Sequence, residues 1–176
     1  MEKTLRLFYA LWPDDATRDA LAAWQFAVSG KKVPPQNLHI TLVFLGNQPA
    51  RIVPELTRIL ATLPAHAISL KLDDMGYFAH NRISWAGMKH RPARLVQLHH
   101  RLTTALQEKN IAFDNRNDFK PHITLARHSN RAGIPDLKPI TWHAKHLVLV
   151  KSRLQQDKKG THQQYLPLAE RLLTGS

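Results

Sequence analysis

The tetrapeptide His39-Ile40-Thr41-Leu42 returns as His122-Ile123-Thr124-Leu125. Both copies lie in segments of strand composition: Leu38 to Leu45, closed by Gly46-Asn47, and the run that Pro121 introduces. Side chains alternate along a strand, so His and Thr, two apart, point to one face while Ile and Leu point to the other. Each copy therefore presents an imidazole and a hydroxyl on one side and anchors two apolar residues in a core. The copies stand 83 residues apart (39 to 122) in a chain of 176. That spacing is close to half the chain, the layout expected of two similar halves facing each other across a cleft.

Outward from the first copy, Leu5 to Leu11 has strand composition and Pro13 ends it. Asp14 or Asp15 can cap a helix to about Val28, with Ala20, Leu21, Trp24 and Ala27 on one face, and Gly30 stops it. Lys31 to Asn37, with its Pro pair, reads as a loop. Beyond the motif strand, Val53, Leu56, Ile59, Leu60 and Leu63 have helical spacing, with Pro54 at an early helical position. Ala67 to Leu72 reads as a strand. Gly76-Tyr77-Phe78 and Arg82 to Ala86 read as a hairpin turning at His80-Asn81.

The second half, from near Lys89, opens with a helix over Ala93 to about Lys109. Leu95, Leu98, Leu102, Ala105 and Leu106 form its buried stripe, and His99 and His100 read as solvated positions on it. Phe113 to Lys120 is a polar, basic loop before the second motif. Asn130 to Pro139 reads as loop, Trp142 to Val150 as strand, Lys151 to Gly160 as a mobile basic loop, and Gln163 to Leu168 as a last strand. Strands and helices do not alternate strictly and hairpins are present, which favours α+β with mainly antiparallel sheet.

The composition bounds the chemistry. The chain has no Cys, which excludes disulfides, thiol nucleophiles and Cys-based zinc sites and suits a reducing, cytoplasmic setting. Apolar runs are too short for a membrane span. Net charge is +12, from 25 Lys and Arg against 13 Asp and Glu, a field that attracts polyanions. Neither a Gly-rich phosphate loop nor His-Glu-x-x-His occurs, and no carboxylates cluster at either motif. No cofactor and no metal are expected. Paired imidazoles and hydroxyls suit attack on a phosphodiester instead. One neutral His takes a proton from water, a protonated His gives one to the leaving oxygen, and the Thr hydroxyls hold the phosphate oxygens. A strained cyclic phosphate is a natural substrate for such a site. Arg127 follows the second motif and could add its charge. It lies five residues past His122, so in an unbroken strand it faces away, and a bend must turn it to the cleft.

Paired His-x-Thr-x motifs about 80 residues apart, in a small basic chain, resemble the 2H phosphoesterases. Within that superfamily the chain looks most similar to the bacterial RNA 2',3'-cyclic phosphodiesterases, also called 2'-5' RNA ligases. The likeness is carried by Arg6-Leu7-Phe8-Tyr9-Ala10, Asn37-Leu38-His39-Ile40-Thr41-Leu42 with Phe44-Leu45-Gly46, Pro121-His122-Ile123-Thr124-Leu125-Ala126-Arg127, and Tyr165-Leu166-Pro167-Leu168. The resemblance implies a bilobed, pseudo-two-fold α+β fold: two antiparallel sheets facing a central cleft, helices outside. That reads here as one domain, 1–176, with lobes of roughly 1–88 and 89–176. It implies metal-independent opening of RNA 2',3'-cyclic phosphate ends to 2'-phosphomonoesters, with reversible 2'-5' joining of tRNA halves. By position, His39 is the implied proton donor and His122 the implied proton acceptor, with Thr41, Thr124 and Arg127 on the phosphate. Tyr9 and Phe44, with Tyr77 and Phe78 behind them, are candidates to stack on the terminal base. RNA is the expected partner of a monomer. Alternatives at this stage are a 2H enzyme for another cyclic or 2'-5' nucleotide, and a non-catalytic RNA-binding module.

Overall fold

The computed structural model describes residues 1–131 and 136–175. In chain order the elements are β1 (Thr4–Trp12), α1 (Asp15–Phe26), β2 (Lys31–Lys32), β3 (Ile40–Pro49), α2 (Val53–Thr62), β4 (Ile68–Leu72), β5 (Asp74–Phe78), β6 (Ile83–Gly87), α3 (Ala93–Glu108), β7 (Ile123–Arg127), β8 (Ile140–Ala144), β9 (His146–Asp157) and β10 (Gly160–Leu172). The class is α+β. Part of the loop expected over 130–139 (residues 132–135) falls outside the described residues.

Eight strands form one sheet in the order β10-β9-β1-β3-β7-β6-β5, with β2 paired to β7; β4 and β8 form a second, two-stranded sheet. Every pairing is antiparallel. Both motif strands, β3 and β7, are neighbours in the large sheet, joined by the single rung Ile40–Ile123. The two sheets therefore do not carry one motif each. Nor does the strand order divide at the chain midpoint. β6, from the first half, pairs onto β7 and carries β5 outside it, while β9, from the second, pairs onto β1 and carries β10 outside it. Hydrophobic alternation tells which side of a strand is buried and says nothing about its partner.

The two faces of the large sheet differ. One carries Leu7, Tyr9, Leu11, Ile40, Leu42, Ile123 and Leu125 into a core shared with Leu21 and Trp24 of α1, Leu56 and Leu60 of α2, and Leu98 and Leu102 of α3. Leu70, Leu72 and Trp142 of the small sheet close the same core. The other face carries Phe8, Ala10, Val148 and Val150, with Trp12, Phe44 and Tyr165 against them. Helices and small sheet thus cover one face and leave the other free for a cleft.

Local signals explain most boundaries. Asp14 caps α1, its Oδ1 accepting from the Thr17 backbone N–H at 2.8 Å, a contact worth about 1 kcal/mol. Pro54 sits in the first turn of α2, where its missing N–H costs nothing. Three expectations change. The segment Trp142 to Val150 is broken at Lys145 into β8 and β9, which belong to different sheets. The basic stretch 151–160 continues β9 to Asp157 and turns into β10, so it is a long hairpin. Lys31-Lys32 is a short strand, β2, paired to Ala126 and Arg127. Gly30 permits that approach: it sits at φ +93°, and a Cβ there would lie 2.4 Å from the Arg127 carbonyl oxygen.

Candidate active site

β3 and β7 build the site in the same way. In β3 the register against β1 passes from Ala10–Thr41 to Tyr9–Val43, so Leu42 is an extra, bulged residue. In β7 the register against β6 passes from Trp85–Thr124 to Ser84–Ala126, so Leu125 is the corresponding extra residue. Each bulge sends two successive residues to the core, Leu42 with Val43 and Leu125 with Ala126. The parity of the strand then shifts by one. His39, Thr41 and Phe44 line the cleft from β3 and its approach, and His122, Thr124 and Arg127 line it from β7. The bend that Arg127 requires is thus a β-bulge, and Phe44 is its positional counterpart.

The cleft is a cavity of about 590 Å³. Its rim adds Arg6, Lys31, Lys32, His128 and His162, and no carboxylate is among the described residues that line it. That concentrates part of the +12 charge where the motifs meet.

Both imidazoles are tied down alike. His39 Nδ1 lies 2.7 Å from the Asn37 carbonyl oxygen, and His122 Nδ1 lies 2.7 Å from the Lys120 carbonyl oxygen. A carbonyl only accepts, so each Nδ1 carries the proton and donates it, and each Nε2 is left for chemistry. In the neutral ring His39 Nε2 accepts from the Thr41 hydroxyl at 3.0 Å. Asn37 is itself held, its side-chain amide donating to the Gln163 carbonyl of β10 at 3.2 Å.

Aromatic rings enclose both. His39 stacks between Phe8 (centroids 5.0 Å apart, 28° between planes) and Trp12 (4.9 Å, 4°), with Tyr165 edge-on at 5.2 Å. Phe78 lies edge-on to His122 at 5.1 Å, with Trp85 at 6.4 Å. Burial in this aromatic setting pushes the His39 pKa down to about 4, with the charges of His122 and Arg127 acting in the same direction against the Asn37 carbonyl. Burial, helped by Arg127, also lowers the His122 pKa below the usual imidazole range.

Of the residues expected from sequence, His39, Thr41, His122, Thr124, Arg127 and Phe44 converge on one cleft. Tyr9 does not. Its side chain is fully buried on the core face and its hydroxyl donates to the Leu56 carbonyl at 2.7 Å, so it cannot stack on a base. Phe8, one residue earlier, has the correct parity and holds His39. The Phe44 ring carries the Arg6 guanidinium 4.7 Å above it. Tyr77 donates its hydroxyl to the Ser129 carbonyl. Phe8, Trp12, Asn37, His162 and Tyr165 were not singled out as site residues. For Phe8 and Trp12 the signal was available: two residues spaced by four on a strand share a face with Ala10 between them.

A family model described as the 2'-5' RNA ligase superfamily matches residues 13–156. The RNA 2',3'-cyclic phosphodiesterase of Thermus thermophilus is 33% identical over 172 residues, 86% of this chain and 83% of that one. The enzyme of the same name from Escherichia coli is 32% identical over 136 residues, 75% of this chain and 77% of that one. Among solved structures, E. coli LigT complexed with 3'-AMP superposes with a TM-score of 0.84 at 28% identity, covering 98% of this chain and all of that one.

Proposed function

This chain belongs to the 2'-5' RNA ligase superfamily, and on that premise we propose that it is an RNA 2',3'-cyclic phosphodiesterase. It opens the cyclic phosphate at an RNA end to a 2'-phosphomonoester and reversibly joins such an end to a 5'-hydroxyl in 2'-5' linkage. The observation that carries this reading is the matched pair of imidazoles. Both bind a carbonyl through Nδ1–H, and both offer Nε2 to one basic cleft.

In the proposed reaction the phosphate sits between the motifs, its non-bridging oxygens on the Thr41 and Thr124 hydroxyls and the Arg127 guanidinium. Neutral His122 accepts a proton at Nε2 from water as the water oxygen bonds to phosphorus. The P–O3' bond breaks, and protonated His39 delivers the Nε2 proton to O3'. The phosphate stays on O2'. Both imidazoles are poor cations in the free cleft, so the proton on His39 is favoured by the anionic phosphate beside it. In ligation a 5'-hydroxyl replaces water and the same two protons move. These transfers are complete without a metal, so turnover in chelator is part of the proposal. The substrates are RNA fragments ending in a cyclic phosphate, tRNA halves among them, acted on by a monomer in the cytoplasm.

The test is hydrolysis of a short RNA ending in a 2',3'-cyclic phosphate, in EDTA, with the product phosphate located by NMR. A 2'-phosphate supports the assignment, and a 3'-phosphate reverses the two His roles. Binding without turnover sinks the enzyme reading and leaves an RNA-binding module.

A further inference from the structure

His99 was expected to be a solvated position on its helix. Instead it is half-buried on α3, and it touches Leu42 within β3 and Phe119 on the approach to β7. Its Nδ1–H donates to the Leu42 carbonyl at 2.8 Å. Leu42 is the bulged residue of β3, skipped in the register with β1. A bulge leaves its extra residue outside the ladder, and an unpaired buried carbonyl is costly. The imidazole supplies the donor that the ladder does not. The same ring lies flat on Phe119, centroids 4.0 Å apart and planes 3° apart. Phe119 stands three residues before His122 in a segment without regular structure. The Arg91 guanidinium donates to the Phe119 carbonyl at 2.7 Å, and the next carbonyl, of Lys120, receives His122 Nδ1–H.

The backbone ladder constrains the two motifs little, because β3 and β7 share only the rung Ile40–Ile123. A group that holds β3 and the lead-in to β7 together therefore bears on the distance between the acid and the base. We propose that His99 is a positioning residue of the two-imidazole reaction. Its hydrogen bond secures the β3 bulge and its ring fixes the approach to His122, so together they set the relative placement of the motifs. This rests on the phosphodiesterase reading for its kinetic test but not for its spectroscopic one.

Three variants separate the two contacts. His99→Phe keeps the stack and the packing but has no donor. His99→Asn keeps a donor toward the Leu42 carbonyl and loses the stack. His99→Ala loses both. On RNA with a cyclic phosphate end, well below each variant's Tm, His99→Ala should lower kcat by tenfold or more with KM changed less than threefold, a split that global loosening does not produce. His99→Phe should recover Tm without recovering kcat fully, and His99→Asn should recover part of kcat. Imidazole nitrogen NMR gives the second readout. In the unsubstituted protein both His39 and His122 should show the Nδ1–H form, and His99→Ala should mix the forms at His122. Unchanged kcat in both His99→Ala and His99→Phe, with unchanged forms at both histidines, overturns the proposal. If the unsubstituted protein does not turn over this RNA, the functional reading fails while the NMR comparison still decides the role of His99.

Discussion

Opening one side of the aromatic enclosure of His39 should raise its pKa. The free ring titrates near 6.5, and in the cleft burial brings it down to about 4. At about 1.36 kcal/mol per unit, that is roughly 3 kcal/mol against the imidazolium. Phe8 and Trp12 cover its faces and Tyr165 its edge. If the three share the desolvation, Phe8→Ala should return about one unit, roughly 1.4 kcal/mol. The assay is a carbon NMR titration of histidine-labelled protein. His39 should titrate near 4 in the unsubstituted protein and about a unit higher in Phe8→Ala, and inorganic phosphate should raise it in both. The same shifts predict the rate profile. The reaction needs His39 charged and His122 neutral, and both pKa values lie below the usual range. The bell in kcat/KM should therefore centre on the acid side of 6.5, with Phe8→Ala moving one limb toward neutrality. A His39 pKa at or above 6.5, or one that Phe8→Ala leaves in place, refutes the reasoning.

His39, His99 and His122 all have lowered pKa values in the folded protein. Below 6.5 the unfolded chain takes up protons that the folded one refuses, so their stability contribution is full above that pH and falls as pH drops toward 4; urea melts at pH 7 and 5 should show the loss. His39→Ala and His122→Ala should each lower kcat by about 10²- to 10⁴-fold in EDTA, and near-normal turnover in either removes it from the mechanism. A Cβ on Gly76 would stand 2.0 Å from Trp85 Cζ2, so Gly76→Ala should destabilise by about 1–3 kcal/mol in denaturant melts, the usual cost of overpacking. Tyr9→Phe removes the buried hydrogen bond to the Leu56 carbonyl, which α2 still pairs along its own helix, and should cost about 0.5–1.5 kcal/mol of stability while leaving kcat/KM within twofold, since Tyr9 faces the core.

The elements and the two motifs were legible because they rest on short-range rules. Apolar spacing gave α1, α2 and α3, a capping Asp gave the start of α1, and alternation gave the motif faces. What escaped depends on pairing. The bulges at Leu42 and Leu125 are defined by register against β1 and β6, and they decide that Phe44 and Arg127 reach the cleft. Tyr9 and Phe8 are equally aromatic neighbours, and a one-residue parity choice separates a core residue from a wall of the site. The role of Trp12 and Tyr165 needs β9 to lie between β1 and β10, which no local pattern specifies. Lys31-Lys32 hid as a strand because two polar residues carry no periodicity.

The interleaved sheet also bears on how the protein is made. β1 precedes β9 in the chain, yet one of its edges is filled only by β9, with Arg6 opposite Ser152 and Trp12 opposite His146. Between the synthesis of β1 and that of β9 a nascent chain therefore carries an open sheet edge, a surface prone to wrong pairing until β9 emerges. The ring of Tyr165, which completes the enclosure of His39, arrives later still, on β10. Phe8 and Trp12 precede both histidines in the chain and Tyr165 follows them, so the enclosure of His39 is complete only once β10 has docked on β9.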